Sequence, residues 1–219
     1  IVEAGAAFAK GLRAKGCVGM KMMVFKMKKP DAAAANDALA ALLKDESAIL
    51  SSSNPLNDIF YDAIFTEMAR QELPVSVHTG VWGDFRDLNP EHAIYMSDNY
   101  PDLKFDLFHL GYPYSREAIV MGKLRRNIWL NLCWTQIISP YFTTQALIEI
   151  LEAIPSNKII GFGGDYMVVE KVYGHLQLAL SVIAKALAAK INDGFLSCDA
   201  AARLAEKMLY DNPKALYQL

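Results

Sequence analysis

Three side chains with the chemistry to share a metal or a proton recur at one spacing along this sequence. His78 ends the apolar run PVSVH, His109 ends KFDLFH, and Asp165 follows KIIGF within GFGGDY. The first two are 31 residues apart and the third lies 56 residues further on, twice 28, so one period of about a βα unit fits all three. Two imidazoles and a carboxylate are a suitable partial ligand set for a divalent transition metal. Taken singly, each has a plainer explanation. A strand-end histidine is more often a hydrogen-bonded structural group, and an aspartate after two glycines can simply cap the next helix. The shared period makes a common site the sharper expectation. His92 and His175 lack that setting and read as surface or structural residues.

Five short β-rich runs carry or separate these residues: 18–25, 74–78, 104–110, 128–133 and 158–162. Helical patterns fall between and after them at 57–71, 117–125, 143–154, 172–191 and 199–210, with Asp199 expected as an N-cap. Alternating strands and helices imply a parallel sheet with helical crossovers. If that sheet curls into a barrel, residues at the carboxyl ends of its strands converge on one mouth. The segment 26–55 holds an Ala-rich run and then SSSNP, and reads as an inserted helix and surface loop, either a flap over the site or a plain surface insertion. The whole of 1–219 reads as a single domain. An open doubly wound sheet is the competing architecture, but GFGGDY lacks the GxGxxG spacing that would bind a dinucleotide there.

Composition narrows the function classes. With 22 basic and 24 acidic residues, a net charge of −2 provides no broad basic field for a nucleic acid backbone. Residues 127–148 carry no formal charge, yet Asn127, Asn131, Gln136, Ser139 and Pro140 interrupt them, so no membrane span is expected. Residues 1–16 read as a helix, and Glu3, Lys10 and Arg13 break the order a secretory signal requires. Cys17, Cys133 and Cys198 form no CxxC pair and read as separate inert thiols in a reducing, cytoplasmic compartment.

At the residues singled out, the chain resembles the amidohydrolase superfamily, specifically the amidohydrolase-related branch of metal-dependent hydrolases, lactonases and decarboxylases. The matching pieces are LPVSVHTG (73–80), FDLFHLG (105–111), IIGFGGDY (159–166) and the ending DNPKALYQL (211–219). The resemblance implies a TIM-type (β/α)8 barrel in which the five runs are strands four to eight, the first three strands lying outside the sequence. It implies His78 as a metal ligand, His109 as a second ligand or as the group that polarises substrate or water, and Asp165 as ligand and base. The implied ion is zinc, or else manganese. The family's HxH pair of strand one is missing here, which marks the chain as a fragment or a processed form. Lys21, on the first run, matches the place of a metal-bridging lysine in binuclear members but sits mid-strand, where a barrel-lining lysine is expected. The implied activity is hydrolysis of a small polar, carboxylate-bearing substrate through a metal-activated water. Decarboxylation or lactone opening is the alternative on the same scaffold, and a non-catalytic barrel remnant serving binding or assembly is the alternative of another kind. Loop residues Trp82, Arg86, Tyr112 and Trp134 are the candidates for substrate contact, arginine for a carboxylate and the aromatics for a ring or sugar face. The partner is a small molecule, with homo-oligomerisation through the open barrel edge as a further expectation.

Overall fold

The computed structural model describes residues 1–219 apart from 46, 48 and 49. The elements run α1 (Val2–Ala14), β1 (Met20–Met23), α2 (Ala32–Lys44), α3 (Pro55–Arg70), β2 (Val75–His78), α4 (Ala93–Asn99), β3 (Phe105–Phe108), α5 (Ser115–Leu124), β4 (Ile128–Asn131), α6 (Thr135–Ile138), α7 (Pro140–Ala153), β5 (Ile159–Ile160), α8 (Glu170–Asn192), α9 (Cys198–Glu206) and α10 (Asn212–Tyr217). A π-helical turn, Lys207–Asp211, joins the last two.

All five strands are parallel and lie side by side in chain order, β1 to β5. A doubly wound sheet must reverse its strand order at a switch point. None occurs here, so the open doubly wound alternative falls and the strand sequence is that of a barrel wall. Alternation sorts the side chains. Val75, Val77, Phe105, Leu107, Ile128 and Leu130 face the helices and join the main core with Ile64, Phe65, Met68, Leu147, Ile150 and Ile183. The intervening Ser76, His78, Asp106, Trp129 and Asn131 face the other way. There Trp129 and Ile160 pack on Leu216 and Tyr217 of α10, which stoppers the concave side.

Local signals explain the helix starts. The carboxylate of Asp31 accepts from the backbone N–H groups of Ala33 and Ala34, and the carboxamide oxygen of Asn54 accepts from that of Asn57 ahead of Pro55. Ser139 caps α7 before Pro140, so this helix begins three residues earlier than the expected Thr143. Likewise Ser197, not Asp199, caps α9. Within 26–55, α2 packs against α3, and no described residue of that segment lines the cavity of the strand ends. Helix α8 is long and apolar enough to cross a membrane by composition, but His175, Ala179, Val182, Ile183, Ala186, Leu187 and Lys190 form a buried stripe packed on α7 and α9. The cysteines are unpaired as expected, although Cys198 is exposed and Cys133 alone is buried.

Candidate metal centre

The carboxyl ends of the strands surround a cavity of about 380 Å³ lined by Lys21, Met23, His78, Val81, Trp82, His109, Trp134, Ile137, Ile138 and Asp165. His78, His109 and Asp165 meet there, their ligand atoms all within 4.8 Å of one another.

The hydrogen bonds of the two rings fix what they present. Nδ1 of His109 lies 2.9 Å from the carbonyl oxygen of Cys133. Nε2 of His78 lies 3.0 Å from that of Val81. A carbonyl only accepts, so each of these nitrogens carries the proton. The remaining nitrogens, Nε2 of His109 and Nδ1 of His78, therefore hold lone pairs, and they face each other at 2.9 Å. An Asp165 oxygen stands 3.7 Å from Nε2 of His109. Burial pushes the pKa of His78 down and that of His109 down to about 4, so neither ring supplies a proton at neutral pH. Three electron-pair donors converging without a hydrogen between them repel one another unless a cation lies among them. Metal-bound histidines usually give their other N–H to a carbonyl or carboxylate, which both rings do here. By this test the residues fit a divalent ion.

Lys21 pairs with the Asp165 carboxylate at 2.5 Å and lies over the Phe108 ring. It lines the cavity from its mid-strand place, in register with Ser76 of β2.

Backbone strain is concentrated at this cavity. Of the seven non-glycine residues with positive φ among those described, Trp82 (142°), His109 (65°), Trp134 (65°) and Asp165 (48°) all line it. Each such conformation costs on the order of 1 kcal/mol or more, and such residues cluster where function holds them.

The four loop residues nominated for substrate contact divide. Trp82 and Trp134 line the cavity with ring centroids 6.4 Å apart, and Trp134 also stacks near Tyr166. Arg86 does not line it: its guanidinium is held by Asp84, two residues away, and points into solvent. Tyr112 does not line it either, since its ring packs on Phe142 of α7. Sequence reasoning passed over Val81, Ile137 and Ile138, whose apolar side chains complete the wall. His175, expected on the surface or in a structural place, has the structural one. That residue is buried, bonded to Gln136 and packed between Phe162 and Tyr166.

Beneath the cavity the fully buried Asp106 accepts from Asn131 (2.8 Å) and from the Tyr217 hydroxyl (2.6 Å), while its Oδ1 has no partner. Burial outweighs both bonds and raises its pKa from 3.8 to about 6. A raised folded pKa means that this group favours the fold most below pH 4, and that the contribution is lost as pH climbs through 6. The shift corresponds to about 3 kcal/mol. The lowered pKa values of His78, His109 and His175 act with the opposite sign over the same range and cancel between parent and variant, so the urea midpoint of the parent relative to Asp106→Asn should fall from pH 4 to 8.

Residues 5–219 match the family model described as Amidohydrolase. Protein fluG of Emericella nidulans is 26% identical over 150 residues, which is 67% of this chain and 17% of that protein. Among solved structures, a protein from Lactobacillus casei named as a metal-dependent hydrolase superposes with a TM-score of 0.83 at 22% identity, over 99% of this chain and 59% of its own. Uronate isomerase from Thermotoga maritima superposes with a TM-score of 0.82 at 15% identity, over 99% of this chain and 53% of its own. This chain thus spans less than two thirds of the length of each of these proteins, and the two superpositions speak for the fold alone. The match over 5–219 agrees with the ordered parallel strands and with the His, His, Asp cluster at their carboxyl ends, and the chain belongs to the amidohydrolase family.

Proposed function

We propose that the protein is a metal-dependent hydrolase in which His78, His109 and Asp165 hold a divalent ion, zinc by its preference for nitrogen and oxygen donors, with manganese second. The observation that carries this reading is the pair of imidazole lone pairs facing each other at 2.9 Å beside a carboxylate. When bound, such an ion supplies a Lewis acid and lowers the pKa of water from roughly 16 to about 7. Asp165 accepts the proton of the attacking water, its carboxylate standing at the rim within reach of the cavity. His109 has its only N–H committed to Cys133, so we assign it a ligand role in preference to that of hydrogen-bond donor to the attacked oxygen.

Trp82 and Trp134, with Val81, Ile137 and Ile138, offer an apolar wall for a ring or hydrocarbon portion of a small substrate. Lys21 is the one cation on the described lining, and a substrate carboxylate would pair with it in place of Arg86. The test is to strip the full-length protein with a chelator, reload it with zinc or manganese, and assay amides, lactones and aromatic or aliphatic carboxylates. Hydrolysis should vanish on stripping and return on loading. Isomerisation or carbon dioxide release without hydrolysis would overturn the reaction assigned, and failure to bind either ion would overturn the site.

A further inference from the structure

We propose that the turn formed by residues 131–136, between β4 and α6, is a bracket that sets His109 and Asp165 at a fixed separation, with Asn131, Gln136 and His175 as positioning residues. This deepens the metal-site reading and rests on it. One half of the bracket runs to His109. Asn131 is anchored to Asp106 through its Nδ2, and its Oδ1 accepts from the backbone N–H of Cys133 at 2.9 Å. The carbonyl of that same Cys133 accepts from Nδ1–H of His109. Asp106 is tied in turn to Tyr217 of α10, whose hydroxyl also meets Ser76 of β2 at 2.7 Å. The chain of bonds thus reaches from the stopper helix to the ring and selects the tautomer that turns the lone pair of Nε2 into the cavity.

The other half runs to Asp165. The Trp134 indole donates to the carbonyl of Gly164, the residue before Asp165, at 2.9 Å. Gln136 donates through Nε2 to the carbonyl of Gly161, also at 2.9 Å. Its own orientation is set by His175, which gives Nε2–H to Gln136 Oε1 at 3.1 Å. The two segments also touch closely enough that a Cβ on Gly163 would lie 2.9 Å from that of Cys133. Asn131, Gln136 and His175 are buried and none lines the cavity, so whatever they do for the site passes through the residues they hold. If they served only to satisfy buried polarity, their loss would lower stability without changing the ligands.

Two measurements separate these roles. In metal-free protein, long-range proton–nitrogen spectra of the imidazoles should show a single Nδ1–H tautomer for His109, and a mixture in Asn131→Leu. Asn131→Ala, which removes the acceptor and leaves space where leucine adds apolar bulk, gives the same readout if the leucine variant does not fold. In the second, cobalt(II) alone is titrated into the full-length protein and followed by its visible spectrum and by thermal melting. Gln136→Met and His175→Phe should weaken cobalt binding about 10-fold and shift the spectrum, whereas His175→Gln, which keeps a donor for Gln136, should restore both. A single unchanged His109 tautomer in the Asn131 variants overturns the proposal. So do wild-type cobalt affinity and spectrum in Gln136→Met and His175→Phe with only the melting temperature lowered. Should the parent protein bind no cobalt, the metal reading falls, and the tautomer measurement still decides the bracket by itself.

Discussion

Asp165→Asn is expected to lower turnover by roughly 10³-fold, and to do so without unfolding the protein. The loss in rate is that of removing the proposed proton acceptor, a role worth about 10² to 10⁴ in comparable sites. The fold should persist because asparagine tolerates the left-handed conformation that residue 165 adopts, φ 48°, at least as well as aspartate does. His78→Ala should instead act on the ion, removing one of three donors. Elemental analysis should find occupancy well below one per chain, and excess metal should restore part of the rate. Lys21→Met is expected to move in the opposite direction. Its ammonium lies 2.5 Å from the carboxylate that must serve the ion, and it adds a positive charge beside a dication. After allowance for solvent screening at this half-exposed position, its removal should tighten metal binding by about 10-fold. Competition against a chelator checks the sign. Equal affinity in all three variants and the parent would mean that these residues do not surround the ion.

Gly80→Ala carries the largest expected effect on stability. The two loops that bear the histidines meet at this residue. A Cβ on Gly80 would lie 2.1 Å from the carbonyl oxygen of Tyr112 and 2.5 Å from the carbonyl carbon of Gly111, both backbone atoms that cannot turn aside. Its φ of 78° adds a conformational penalty for any side chain. The loop after His78 would have to part from the loop after His109, and the contact between the rings would widen. A loss of about 3 kcal/mol in urea unfolding is expected, at the upper end of overpacking effects, together with weaker metal binding. A change below about 1 kcal/mol would show that the loops are not held this closely.

The cluster of His78, His109 and Asp165 was legible in the sequence because its members sit where strand periodicity ends. His78 closes an alternating run, and a polar imidazole after Val75 and Val77 is odd unless the strand end opens on something polar. Lys21 was singled out by the resemblance and not by a strand end, and it too lines the cavity. Substrate contacts were harder, since a loop position says nothing of direction: Arg86 and Trp82 share one loop, yet a carboxylate two residues away captures the first. Gln136 and His175 escaped for a different reason. Their partners are 25 and 39 residues distant in the chain, and nothing local distinguishes a buried amide that braces a loop from one that faces water. Strand centres were found but their limits were drawn too long, as at 18–25, where only Met20–Met23 pair, and at 158–162, where only Ile159–Ile160 pair before the chain turns toward Asp165. Short α4 and α6 have too few turns to show a periodicity.

The bulky residues at left-handed positions around the cavity have a bearing on what substitution there would gain or lose. Glycine at 134 or 109 would relieve torsional strain but forfeit the packing and hydrogen bonds of the side chain there, whereas asparagine at 165 keeps the size of the side chain and tolerates the conformation. Tryptophan and histidine are kept in these strained places by the contacts they make, which must offset the torsional cost.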